Sequence, residues 1–365
     1  MMTKHAFVIA CAFLVLAGTL PAAEEDFFPI GVWFSGNLDR IGVPMTGNPV
    51  MDRPVLENYL RTSFTHIRAL GFNAIVVTAP FPEEYGELLF GEAEAAGLKV
   101  ALQFSEIYDT VAGMKEFPVD ATGQVVEETR TRILDSIGRS VENLQARYGG
   151  YASFWQYGIT DEINEKQVDP VKGMWVPAAE KVREFDTARA AFSTFSIGMD
   201  DPLTRITSVL ARYDAPFLVY NYYPFQVRTN PETGPYEVVH PKRFADTMER
   251  VRAVAGNVPR WPVIQSFAKE VPNAGDGINL YFPSPAEMRF QVYTALASGV
   301  KGEFFFMYQT LLNNPNEKLY GIAKAYPNNA PEHIPTVTSQ GQTTVALAKI
   351  LGKVGPTLAG CVRAP

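Results

Sequence analysis

The sequence predicts an α/β fold, a single (β/α)8 TIM barrel, and three observations carry that expectation. Short apolar stretches alternate with amphipathic segments of helix length. Glycine stands where those helices should stop, at Gly71, Gly97 and Gly149-Gly150, and Gly71 takes the place of a left-handed cap. The long segments rich in Pro, Gly and Asn all follow strands, and in a barrel those connections build the functional face.

The first strand is expected at residues 29–34 and the first helix at about 54–70. Residues 73–78 are rich in Ile and Val, as a strand buried on both faces should be. A helix at about 83–96 leads to a third strand at 99–104. The clearest helix carries Ile133, Ile137, Val141, Leu144 and Tyr148 at spacings of three and four, which is one apolar face. Strands four to seven are expected at 152–159, 192–197, 217–222 and 262–267. Ser284, Pro285 and Glu287 then spell a helix start: a cap, a proline in the first turn and a capping-box partner. Strand eight is expected at 300–308 and a last helix at about 343–353. Segments 162–180, 226–240 and 309–338 read as loops. With no internal repeat or linker, the expected organisation is a leader at 1–23 and one barrel domain at 24–365.

The 365 residues are 47% hydrophobic and carry a formal charge of -7, enough apolar material for one large core. Without a Lys/Arg cluster, this acidity argues against nucleic acid or an anionic membrane as partner and suits a neutral sugar. Lys4 and His5 precede an apolar run at 6–17, then Leu20-Pro21-Ala22-Ala23. That order reads as a secretory signal cleaved near Ala22 or Ala23, giving a secreted or periplasmic protein. A membrane-spanning helix needs about 20 apolar residues, and this run is shorter. Cleavage would leave Cys361 as the one cysteine, so no internal disulfide is expected. His5, His66, His240 and His333 lack ligand-like spacing, and no Gly-rich phosphate motif occurs. Neither metal nor cofactor is therefore expected.

Strand four carries the sharpest chemical signal. Trp155-Gln156-Tyr157-Gly158-Ile159-Thr160-Asp161-Glu162 runs from an aromatic strand into adjacent carboxylates, and a carboxylate ending a barrel strand sits at the mouth. Cleaving a glycosidic bond requires a proton donor, because an alkoxide leaves poorly; a glutamic acid near aromatic rings can be tuned for that task. The plainer alternatives for Glu162 are a helix-capping carboxylate or an ion-pair partner for Lys166. Trp33, Tyr222, Tyr223 and Tyr308 lie at or near strand ends, with Gln103, Asn221 and Gln265 as polar partners for sugar hydroxyls. Trp155 and Tyr157 lie earlier in strand four and read as core. Glu303 lies near the beginning of strand eight, the structural end of a barrel.

Four stretches carry a family resemblance: Gly71-Phe72-Asn73-Ala74, Asp161-Glu162 after the aromatic strand, Tyr222-Tyr223-Pro224, and Ala297-Ser298-Gly299-Val300-Lys301-Gly302. Together they resemble the clan A retaining glycoside hydrolases, more narrowly the β-galactosidase-like family 42 barrel. The resemblance spans most of the mature chain on short motifs. It implies that Glu162 is the acid/base, while the residue before it, usually Asn, is here Asp161. It also implies a nucleophilic Glu ending strand seven, where this chain has Gln265. An amide forms no stable glycosyl ester and is no anionic base. Glu270, Asp200, Asp201 and Asp161 are the candidate substitutes, each also readable as a solvated or helix-start carboxylate. The expected function is a glycoside hydrolase acting on an oligo- or polysaccharide. The alternatives are a non-catalytic carbohydrate-binding barrel, with Gln265 marking a lost nucleophile, and another acid–base reaction on a carbohydrate.

Overall fold

In the computed structural model the described residues are 27–78, 80–197, 203–230, 232–271, 279–312, 316–324 and 335–361. The expected leader and both Asp200 and Asp201 lie outside them. Strands β1 (Ile30–Ser35), β2 (Ala74–Thr78), β3 (Lys99–Gln103) and β4 (Phe154–Gly158) lie side by side and parallel. The fifth barrel strand is split into β5 (Ala191–Phe192) and β6 (Thr194–Ser196). The sixth is β7 (Leu218–Asn221), after which the chain makes a hairpin, β8 (Phe225–Asn230) and β9 (Gly234–Val239). The seventh, β10 (Arg260–Gln265), is followed by two short strands, β11 (Ala268–Glu270) and β12 (Asn279–Leu280). The eighth, β13 (Glu303–Phe306), is followed by β14 (Lys318–Tyr320).

The larger sheet runs β5-β4-β3-β2-β1-β13-β10-β7-β6. Its two ends are thus halves of one strand, and the sheet curls into a parallel barrel. At the break, Ser193 Oγ accepts from Trp175 Nε1 (2.9 Å) and donates to the Phe192 carbonyl (2.7 Å), so a side chain occupies the gap in the ladder.

Around this sheet stand α1 (Leu38–Ile41), α2 (Pro49–Ala69), α3 (Gly86–Ala95), α4 (Ser105–Met114), α5 (Glu127–Tyr148), α6 (Trp175–Phe185), α7 (Leu203–Leu210), α8 (Pro241–Ala255), α9 (Pro285–Ala297) and α10 (Gln342–Gly360). The α5 face at Ile137, Val141, Leu144 and Tyr148 is buried as its spacing predicts. Both bonds of the α9 capping box are present. Helix α2 starts earlier than expected, because Asn48 caps it by accepting from the Val50 N–H and Pro49 occupies its first turn. Helix α6 starts inside the 162–180 segment expected as a loop and runs beyond it.

Side chains, not solvent, fill the barrel. Trp155 and Trp261 stack at 5.2 Å, and Phe217 stacks on Trp261 at 4.1 Å. Phe304 meets Trp33 edge-on at 5.7 Å and Phe192 at 5.8 Å. This aromatic plug closes the barrel beneath the mouth.

A second sheet covers part of that mouth. It is five-stranded and antiparallel, in the order β14-β11-β12-β8-β9, drawn from the connections after strands six, seven and eight. Segments 226–240 and 309–338, expected as loops, supply three of its strands. The β11 and β12 strands are only three and two residues long, too short to show a period-2 pattern of their own.

Candidate active site

The end of β4 is shaped by two local departures. Val100 pairs with Phe154 but Ala101 pairs with Gln156, so Trp155 is an extra residue that re-aims the strand beyond it. Gly158 then passes so close to Gln103 that a Cβ would stand 2.7 Å from Gln103 Cγ and 3.0 Å from its Cα. Beyond the strand, the Ile159 N–H donates to Phe192 (3.1 Å) and the Ile163 N–H to Thr194 (2.8 Å). Residues 160–162 are thereby clamped against both halves of the split fifth strand.

Glu162 sits within this clamp at φ +24°, a left-handed angle costing a non-glycine residue on the order of 1–3 kcal/mol. Its N–H donates to Asp161 Oδ1 (3.0 Å), and its Oε1 accepts from Asn221 Nδ2 (3.2 Å). It caps no helix, and it has no ion pair with Lys166 among the described residues. Asp161 stands beside it on the same cavity. Burial, then the charge of Glu162, push its carboxyl from 3.8 up to about 6, against the opposing hydrogen bonds from the Glu162 N–H and Thr194. Tyr223 lies near the pair, its phenol pushed well above 10 by burial first and the Glu162 charge second. Asn221 Nδ2 also donates to the Tyr223 hydroxyl (3.4 Å), tying both side chains to one amide.

These groups face a cavity of about 380 Å3, within the roughly 300–1,000 Å3 typical of small-molecule pockets. Trp33, Gln103, Asn221 and Tyr223 line it together with Asp161 and Glu162. Its floor is apolar: the Phe306 ring stands 6.1 Å from Trp33, 4.8 Å from Phe267 and 6.3 Å from Tyr223. Four expected site residues stand elsewhere. Tyr222 packs against Phe244 of α8 with Arg243 over its ring, on the outward side of its strand end. The Tyr308 hydroxyl bonds His66 Nδ1 (2.7 Å), turned toward α2. Gln265 is fully buried and spends its amide on the backbone. It accepts from the Phe225 N–H (3.1 Å) and donates to the carbonyls of Phe225 and Tyr281, both at 2.9 Å. It therefore anchors the second sheet to the barrel and does not line the cavity.

Glu270 misses the cavity for a reason of strand parity. In β11, Lys269 is paired with Leu280 on one side and Leu319 on the other, and all three line the cavity. Successive side chains point to opposite faces, so Glu270 turns away, meeting Tyr320 Oη (2.9 Å) and Lys318 Nζ (3.6 Å). The same parity in β14 puts Leu319 on the cavity side, and Glu317, two residues earlier, lines the cavity with it. Glu317 Oε1 lies 2.7 Å from Lys269 Nζ.

Sequence reasoning therefore missed Lys269 and Glu317, and also Arg40, Tyr108 and Thr194. Thr194 was within reach, since it falls in the expected fifth strand. The others lie in connections whose conformation no local pattern discloses. Among the described residues no cluster of His, Cys, Asp and Glu is arranged to hold a metal ion, and no helix is long and apolar enough to cross a membrane.

No protein-family model matches the sequence, and no curated protein matches it. Solved structures do match its fold. One is a β-galactosidase from the psychrophilic Marinomonas ef1, with TM-score 0.57 and 13% identity over 91% of this chain and 62% of that one. A second is a polyextremophilic β-galactosidase from the Antarctic haloarchaeon Halorubrum lacusprofundi, with TM-score 0.59 and 13% identity over 90% of this chain and 58% of that one. A third, a GH5_18 protein of Bifidobacterium longum solved with Manb1-4GlcNAc, has TM-score 0.55 and 11% identity over 88% of this chain and 78% of that one. The chain thus shares the barrel fold of these three proteins, and it spans about three fifths of the two β-galactosidases.

Proposed function

We propose that the chain is an exported glycoside hydrolase in which Glu162 donates the proton to the leaving glycosidic oxygen and Asp161 supports it. One observation carries this reading. Two adjacent carboxyl groups face one cavity at the C-terminal end of the fourth strand, and one is pushed up to about 6. Raised to about 6, the Asp161 carboxyl keeps its proton to higher pH than an ordinary carboxyl group, so Asp161 can hold a proton for the site. Asn221 holds one oxygen of Glu162 by an N–H bond, which orients the carboxyl group. The rings of Trp33, Tyr223 and Phe306 offer flat surfaces for sugar C–H patches, and the Gln103 amide lines the same cavity as a polar group for hydroxyls. The leader read from the sequence supports export, and N-terminal sequencing of the mature protein tests it: an intact Met1 would end that part.

The test of the acid is a screen of aryl glycosides and plant and microbial polysaccharides, run beside Glu162→Gln. Losing a general acid should lower kcat by about 10²–10⁴-fold; equal turnover in the variant sinks the assignment. A second reading, a non-catalytic carbohydrate-binding barrel, is favoured by Gln265, which leaves no carboxylate at the end of the seventh strand. Saccharide binding by calorimetry, without product, in both proteins would decide for it.

A further inference from the structure

We propose that Glu317 is the carboxylate that works opposite Glu162, activating water so that hydrolysis inverts the anomeric carbon; this rests on the glycosidase reading above. Gln265 is excluded by its chemistry and its burial. Among the described residues that line the cavity, the carboxylates are Asp161, Glu162 and Glu317. The first two are neighbours at the end of β4 and cannot flank a sugar from both sides. Glu317 enters from the connection after β13.

Strand order sets the strand that carries this connection across the barrel from β4. From β4 the sheet passes β3, β2 and β1 to reach β13, and in the other direction the split fifth strand, β7 and β10. The two strands are four steps apart both ways, on opposite sides of the barrel. A carboxylate facing an acid across a mouth is the arrangement of an inverting pair, which needs about 6.5–9.5 Å between the groups to admit a water. Lys269 fixes Glu317 on the cavity face, with 2.7 Å between Nζ and Oε1, and both side chains are largely covered, at 33% and 27% exposure. A base held by a partner needs little reorganisation when the substrate arrives.

The step balances. Glu317 takes one proton from water as the water oxygen bonds to the anomeric carbon. The bond to the leaving oxygen breaks, its electron pair stays on that oxygen, and Glu162 supplies the proton. One water is consumed; Glu317 then returns its proton to solvent and Glu162 regains one.

The test uses the full mature protein and a glycoside that it hydrolyses, with ¹H NMR of the first-formed product anomer. The expected product is inverted. Glu317→Gln should lose about 10³-fold in kcat, as for removal of a general base, with KM nearly unchanged. Azide added to Glu317→Ala should raise the rate and yield a glycosyl azide of inverted configuration, which a purely structural role would not produce. Where either variant melts early, the anomer made by the unaltered protein decides alone. Retention of configuration, or a Glu317→Gln variant that keeps its rate while Glu162→Gln loses it, overturns the inference and leaves the glycosidase reading standing. An unaltered protein that turns over no glycoside overturns both.

Discussion

The wall of the cavity at β4 and the roof facing it hold their side chains by different means. On the β4 wall, backbone bonds to both halves of the fifth strand clamp the chain, and Glu162 is forced to φ +24°. Position there comes from barrel ladders that are buried on both sides. On the roof, Lys269 owes its place to alternation along a strand of three residues, paired with a strand from a different connection, and Glu317, just ahead of that partner strand, is held by Lys269. A deformation of the first wall must disturb the barrel, whereas the roof can change while the barrel stands.

The largest effect should come from the plug beneath both. Trp261 stacks on Phe217 and Trp155, so Trp261→Ala should cost about 3–5 kcal/mol in denaturant unfolding. A loss no greater than that of a surface variant would mean that the plug does not support the wall. Next is the joint between the two regions. Gln265→Glu replaces an amide that donates to two carbonyls with a carboxylate that cannot, at a cost of about 3 kcal/mol. The Phe225–Asn230 strand should be cut faster by protease, and no product of retained configuration should appear. Such a product would show that the position tolerates a nucleophile.

A gain should follow at the barrel wall from Glu303→Leu. Among the described residues both Glu303 carboxyl oxygens are buried without a hydrogen-bond partner, and burial holds its pKa well above 4.5. The native state therefore keeps a proton that the unfolded chain releases. The stability that this proton contributes is complete below the ordinary carboxyl range and is lost as pH rises through the folded pKa. Glu303→Leu should stabilise by about 1–3 kcal/mol at pH 7, and by less near pH 4; an advantage independent of pH contradicts this account. Smallest is Glu270→Gln on the outer face of the roof, where an exposed pair with Lys318 contributes at most about 1 kcal/mol. Turnover should stay within twofold, and a larger fall would bring Glu270 into the reaction.

The same contrast governs what the sequence disclosed. Barrel strands are legible because a strand buried on both faces must be apolar, as Ala74–Thr78 is, and Ser284 with Glu287 announces its helix by local chemistry. Asp161-Glu162 is legible because a strand end needs no distant partner to be recognised. Whether Lys269 or Glu270 faces the cavity is settled by pairing with Leu280 and Leu319, eleven and fifty residues away, and nothing near β11 encodes it. Tyr222 and Tyr223 divide likewise: they are neighbours, and only the direction of the strand end decides which one meets Asn221.

Strand parity in the roof also gives this fold an unusual response to insertions and deletions. Removing one residue just ahead of β11, with its pairing kept, would exchange the two faces of that strand. Lys269 would turn outward, Glu270 would enter the cavity, and Glu317 would lose its cation. One codon lost from a loop would thereby replace a positive group in the cavity wall with a negative one, while every barrel strand kept its place.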